Sequence, residues 1–149
     1  LHLAREDDFI GVQNYERVVY GPDGELPLTD GSMRNQMGHP VDPESLRGSI
    51  EYAHEVSGVP VVVTEHGIAT TDDSVRGNFV AASIDRMLAA IADGTPVWGY
   101  LHWSLLDNFE WIFGYGPRFG LHEVDPATFV RTAKPSARRY AEIVAAHRG

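Results

Sequence analysis

The sequence predicts an α/β fold of about three parallel β/α units. Apolar runs of strand character alternate with amphipathic runs of helical spacing, in the order strand, helix, strand, helix, strand, helix. The middle strand is apolar and β-branched throughout, which suits a parallel strand covered on both faces. Connections of this order are expected to be right-handed crossovers. With 149 residues, 43% of them hydrophobic, the chain can bury one core and reads as a single unit over 1–149. A closed eight-stranded β/α barrel needs at least about 200 residues. The pattern therefore fits either a sector of such a barrel or a small doubly wound sheet.

The first strand is Asp8-Phe9-Ile10-Gly11-Val12-Gln13-Asn14-Tyr15, a short apolar run ending in polar and aromatic residues. From Val19 to Pro43 the composition turns to Gly, Pro, Asp, Ser and Met without period, including Gly21-Pro22-Asp23-Gly24. This predicts a long loop, and on a barrel it would overhang the functional face. Asp42-Pro43 reads as a cap followed by proline in the first helical turn. Leu46, Ile50 and Ala53 then share a face, and Gly58 stops the helix. The second strand runs from Val59 to Thr64. A helix over about Val75 to Ala92 carries Val80, Ile84, Met87, Leu88 and Ile91 at helical spacing and ends at Asp93-Gly94. The third strand spans Pro96 to Leu105. A Gly- and aromatic-rich turn over Phe113 to Gly120, a short extended piece and a helix from about Ser136 to Ala146 complete the chain.

Charge and composition narrow the chemistry. A formal net charge of −9, from 21 acids against 12 bases, opposes nucleic acid and anionic membrane surfaces as partners. There is no cysteine, so neither disulfides nor thiolate metal sites can form, and no apolar run reaches membrane-spanning length. The compartment stays open on these counts. The seven histidines lack the paired spacing of a zinc site, so no metal is expected. A phosphate-binding Gly-rich loop and a Gly-x-Ser-x-Gly elbow are both missing, and no cofactor is implied.

Candidate site residues cluster at strand ends. In Gly99-Tyr100-Leu101-His102-Trp103-Ser104-Leu105-Leu106-Asp107-Asn108-Phe109-Glu110-Trp111, two tryptophans and a carboxylate crowd the end of a strand. Indole faces stack on the C–H faces of a pyranose, while carboxylates and indole N–H groups bind its hydroxyls. Taken alone, the tryptophans fit core packing as well as a sugar subsite. Glu65, where a buried strand meets His66-Gly67, is either a nucleophile held by a rigid backbone or a carboxylate capping a strand end. Tyr15 alone would pass as a rim packing residue.

A family resemblance carried by several of these motifs in order favours the site reading. The Trp103–Trp111 string, preceded by Val61-Val62-Val63-Thr64-Glu65-His66-Gly67, resembles the C-terminal region of retaining β-glycosidases of glycoside hydrolase family one. Asp8-Phe9-Ile10-Gly11-Val12-Gln13-Asn14-Tyr15 is similar to that family's Asp-Phe-Ile-Gly-Leu-Asn-Tyr-Tyr. Gly114-Tyr115-Gly116-Pro117-Arg118-Phe119-Gly120-Leu121 resembles its Gly-Tyr-x-x-Arg-Phe-Gly-Leu, and Lys134-Pro135-Ser136-Ala137 with Tyr140 continues the match as scaffold. The resemblance implies an incomplete, C-terminal segment of a (β/α)8 TIM barrel acting on β-glucosides or related small oligosaccharides.

It also implies roles. Glu65 would attack the anomeric carbon, Tyr15 would hold it, and Trp103, Glu110, Trp111 and Phe119 would bind the sugar. His66 stands where the family has asparagine, and Gln13 and Asn14 also depart from its pattern. Retention needs a second carboxyl group, about 5 to 5.5 Å away, as acid/base. The family takes it from an Asn-Glu-Pro strand, and no glutamate here precedes proline. The chain alone is therefore expected to be inactive, with a missing N-terminal half of the barrel as a partner.

Overall fold

A computed structural model describes residues 1–27 and 31–147; the part of the expected loop at 28–30 lies outside them. After a 3₁₀ turn at His2–Glu6, the chain enters β1 (Ile10–Asn14). It then forms β2 (Tyr20–Gly21), β3 (Gly24–Glu25) and α1 (Glu44–Ser57), followed by β4 (Val61–His66), α2 (Asp73–Ala92) and β5 (Val97–His102). The short strands β6 (His122–Val124) and β7 (Arg131–Ala133) precede α3 (Pro135–Ala146).

β1, β4 and β5 form one parallel sheet in that order, joined by crossovers through α1 and α2. Among the described residues the sheet has three strands and does not close. Along β4, Val61 and Val63 point to the helices and are fully buried, as the alternation of side chains along a strand requires. Leu46 and Ile50 of α1 and Phe79, Val80 and Ile84 of α2 meet them in one core. Each such side chain contributes about 1.5–3 kcal/mol by leaving water. The other sheet face is bare: Phe9, Trp98 and Leu101 are 44%, 63% and 58% exposed, and Phe9 rests against Trp98.

Helix ends follow local chemistry. Gly58 closes α1 in a left-handed conformation that favours glycine. Asp72 caps α2 by accepting from the Ser74 amide at 2.9 Å, so this helix begins before the expected Val75. At α1, Asp42 accepts from the Glu44 amide at 3.1 Å and Pro43 stands at the boundary rather than inside the first turn.

Four differences from the sequence expectations follow. β4 continues through Glu65 and His66 instead of ending at Thr64, so the carboxylate sits on the strand itself. β5 stops at His102, and Trp103 to Leu105 already belong to the following loop. The expected loop after β1 contains the small β2–β3 hairpin, with Pro22-Asp23 at its turn. The expected extended piece near the C-terminus is an antiparallel pair, β6 with β7.

Candidate active site

The site forms where β1, β4 and β5 end. Register places Gln13 opposite Glu65 and Asn14 opposite His66, after an irregularity between Val12 and Gln13. Tyr15, one residue past β1, thereby reaches across to β4 and donates its hydroxyl to Glu65 Oε2 at 2.7 Å. Burial, with the Glu65 hydrogen bond and charge added, pushes the Tyr15 phenol far above its ordinary range. It therefore remains a donor to the carboxylate. Phe119 packs edge-on against the Tyr15 ring, with centroids 5.8 Å apart.

Trp103 donates its indole N–H to Glu110 Oε1 at 3.2 Å. Glu110 is buried, and that burial raises its carboxyl above the usual range; the Trp103 hydrogen bond opposes the rise and the Glu65 charge adds to it. Trp111 follows with a backbone φ of 49° and stands 82% exposed. That left-handed conformation is unusual for a bulky residue and occurs where surrounding structure holds it.

Tyr15, Glu65, Trp103, Glu110, Trp111 and Phe119 line a single cavity of about 360 Å³. All the residues singled out from sequence thus meet in one place. Glu16, Asn35, Met37, His39 and Phe113 also line it. Of these, only Glu16 had a sequence signal, its adjacency to Tyr15. The others come from aperiodic loops, where spacing carries no information. His39 Nδ1 pairs with Glu16 Oε2 at 2.5 Å on the rim. These two also border a larger space of about 580 Å³ under the 16–42 loop, which contains neither tryptophan nor Glu65.

Two of the departures from the family pattern, Asn14 and His66, point away from the cavity. Asn14 is buried against α1, donating to Ser49 Oγ at 3.1 Å and accepting from Ser45 Oγ at 2.9 Å. His66 is fully buried on the helix side of β4, stacked on Phe79 and 2.8 Å from the Tyr100 hydroxyl. Burial, with neighbouring His102, lowers His66 to about 3. Its neutral ring belongs to the packing, not to the cavity.

The loops bearing the site fit closely against each other. Trp103 N donates to the His66 carbonyl at 2.9 Å, and Thr70 N to the Arg118 carbonyl at 3.0 Å. A Cβ placed on Gly67 would lie 1.8 Å from the Trp103 carbonyl oxygen, and one on Gly120 would lie 2.1 Å from the Asp107 amide nitrogen. Lys134 donates to both Asp107 oxygens at 2.9 Å and to the Gly120 carbonyl at 2.7 Å, anchoring the loop from behind. Among the described residues, no three of the His, Asp and Glu side chains gather as metal ligands.

Known proteins resemble this chain in sequence and in fold. The chain is 41% identical over 138 residues to a β-galactosidase of Pyrococcus woesei, covering 92% of this chain and 26% of the relative. It is 34% identical to β-glucosidase A of Thermotoga maritima, covering 95% of this chain and 35% of that enzyme. An apo β-glucosidase structure superposes with a TM-score of 0.91 at 44% identity, over 95% of this chain and 35% of the other. The Thermotoga maritima β-glucosidase in complex with glucoimidazole superposes at 0.84 and 33% identity, covering 93% and 34%. The chain thus spans about a quarter to a third of these relatives' length. Residues 4–149 match the model of glycosyl hydrolase family 1, and the chain belongs to that family as a C-terminal portion of its β/α barrel.

Proposed function

We propose that this chain, as one partial β/α-barrel domain over 1–149, supplies the nucleophile and sugar-binding side of a retaining β-glycosidase. The observation that carries the reading is the Tyr15–Glu65 hydrogen bond inside the cavity that also holds the Trp103–Glu110 pair. Glu65, oriented by the Tyr15 hydroxyl, attacks the anomeric carbon as the bond to the leaving group breaks. A covalent glycosyl-enzyme results, which water then hydrolyses. Glu110 and the Trp103 and Trp111 indoles bind hydroxyls and the pyranose face, and Phe119 closes the wall.

Three carboxylates in one cavity, Glu16, Glu65 and Glu110, oppose a phosphorylated or acidic sugar, so the substrate class is a neutral β-glycoside. Names such as β-galactosidase and bifunctional β-D-glucosidase/β-D-fucosidase among the relatives fit that class. The acid/base glutamate comes from barrel strands outside this chain.

A second reading concerns the chain by itself: it is inert until it joins those strands. The bare sheet face at Phe9, Trp98 and Leu101, with β1 and β5 as open edges, favours association with the remainder of a barrel. Co-expression with a segment bearing an Asn-Glu-Pro strand tests both readings. Hydrolysis of an aryl β-glucoside should appear, vanish with Glu65→Gln, and leave a fluorosugar label on Glu65. Labelling at Glu110 would reverse the assignment, and hydrolysis by the lone chain would overturn the need for an outside acid.

A further inference from the structure

Arg76 lies in the first turns of α2, outside the cavity, and is only 1% exposed. A guanidinium in that position must spend its donors on specific partners. Its Nη1 donates to the Ile68 carbonyl at 3.0 Å and to the Arg118 carbonyl at 2.8 Å, and its Nη2 to the Thr70 carbonyl at 2.7 Å. Its Nε donates to Asp73 Oδ1 at 3.1 Å. Asp73 is itself fixed from α3, accepting from the Ser136 amide at 2.7 Å and the Ser136 hydroxyl at 2.6 Å.

Ile68 and Thr70 belong to the loop that follows Glu65, and Arg118 immediately precedes Phe119. One planar fork therefore sets the separation of the two loops that carry the nucleophile and the cavity wall. Phe119 in turn rests edge-on against Tyr15, whose hydroxyl holds Glu65. We propose that Arg76 is a positioning residue for Glu65, acting through the Arg118 carbonyl, Phe119 and Tyr15. The proposal rests on the reading of Glu65 as nucleophile. It adds a residue that touches neither the sugar nor the Glu65 carboxylate but governs how the phenol meets that carboxylate. Lysine cannot replace it, because a single ammonium lacks the span to reach three carbonyls in fixed directions.

The test is Arg76→Lys in the 149-residue chain, read by NMR with isotope-labelled tyrosine, phenylalanine, tryptophan and glutamate. The expected result is loss of the Tyr15–Phe119 ring contact, a Tyr15 ring carbon that starts to titrate at alkaline pH, and a displaced Glu65 carboxyl signal. The Trp103 indole N–H, which does not lie on this path, should keep its hydrogen-bonded shift. Retention of the Tyr15 and Glu65 signals in R76K overturns the proposal. So does a collapse of the Trp103 signal together with them, which marks a general structural role.

Phe119→Leu leaves the guanidinium network in place and removes the relay. It should reproduce the Tyr15 and Glu65 changes, and unchanged signals there overturn the proposal even if R76K does not fold. None of these readouts needs turnover. A failure of fluorosugar to label Glu65 therefore sinks the glycosidase reading, whereas unmoved Tyr15 signals sink only this one.

Discussion

Tyr15 and Glu65, 50 residues apart in sequence, meet at 2.7 Å because β1 and β4 are neighbours in the sheet and their C-terminal ends coincide. The phenol is the donor and the carboxylate the acceptor, so the contact fixes the direction of the Glu65 carboxylate. Removing the hydroxyl alone separates this function from packing. In a reconstituted barrel, Tyr15→Phe is expected to lower kcat by about 10²-fold, the scale of one lost preorganised donor. KM should change little, and the melting temperature of the chain should stay within a few degrees. Steady-state kinetics beside thermal melts check this, and an unchanged kcat would remove Tyr15 from the chemistry.

Glu110 should act on binding rather than on the bond being cleaved. Glu110→Gln keeps the shape but replaces charged acceptors by a neutral one, and hydrogen bonds to charged groups contribute about 1.5–3 kcal/mol. The affinity of a reconstituted barrel for a non-hydrolysable β-glucoside analogue is expected to fall by at least about tenfold, the equivalent of roughly 1.4 kcal/mol. Calorimetric titration measures it.

Stability should depend on pH through two buried histidines. Burial lowers His66 to about 3, with the neighbouring His102 adding to the effect. Burial and the nearby Arg76 charge lower His102 to about 4, against a backbone hydrogen bond to Phe119 that opposes them. The rings also face Phe79, Tyr100 and Tyr140 on α2, β5 and α3. Both rings stay neutral in the folded chain, while the unfolded chain binds protons below the ordinary value of 6.5. As pH falls from about 6.5 toward 4, the unfolded state therefore gains protons that the folded state does not, and stability drops. Each histidine should account for about 2 kcal/mol between pH 6.5 and pH 5. Urea midpoints at pH 7 and pH 5 test the fall, and His66→Asn should remove about half of it.

Lys134 is expected to be a stability residue of a different kind. It is held by both oxygens of Asp107, whose side chain is 5% exposed. Replacing it with methionine leaves a buried carboxylate short of a partner and should cost about 3–5 kcal/mol. The double variant Asp107→Asn/Lys134→Met should recover part of that loss, because no uncompensated charge remains. Denaturant unfolding of the two variants gives the comparison.

The bare sheet face should drive self-association of the isolated chain. Trp98→Lys with Leu101→Glu places charges of opposite sign on the exposed face of β5 without touching the buried core. Sedimentation should then show a smaller weight-average mass, with the helical signal unchanged.

The order of sheet strands and helices was legible because each element is long enough to show a period: Val80, Ile84 and Met87 mark α2, and Val61 to Val63 mark β4. The two hairpins were not legible. Strands of two or three residues, such as Tyr20–Gly21 and Arg131–Ala133, are too short for alternation to register. Pro22-Asp23 read as loop, although Pro-Asp-Gly is also the chemistry of a tight turn. At the site, the residues on strand ends or in family motifs came together. Asn35, Met37 and His39 did not declare themselves, because a loop's contribution depends on how it folds back, which composition does not encode. Arg76 was equally silent: on a helical pattern it reads as a solvated charge, and only the folded chain brings three carbonyls to it.

Gly67 carries a practical consequence for anyone scanning this chain by mutagenesis. A single methyl group there would wedge the strand end that bears Glu65 away from the loop that bears Trp103. A Gly67→Ala variant would look like a poisoned enzyme although no atom of residue 67 need ever meet a sugar. Inactive clones at this position should be sorted by whether the fold survives before they are counted as evidence about chemistry.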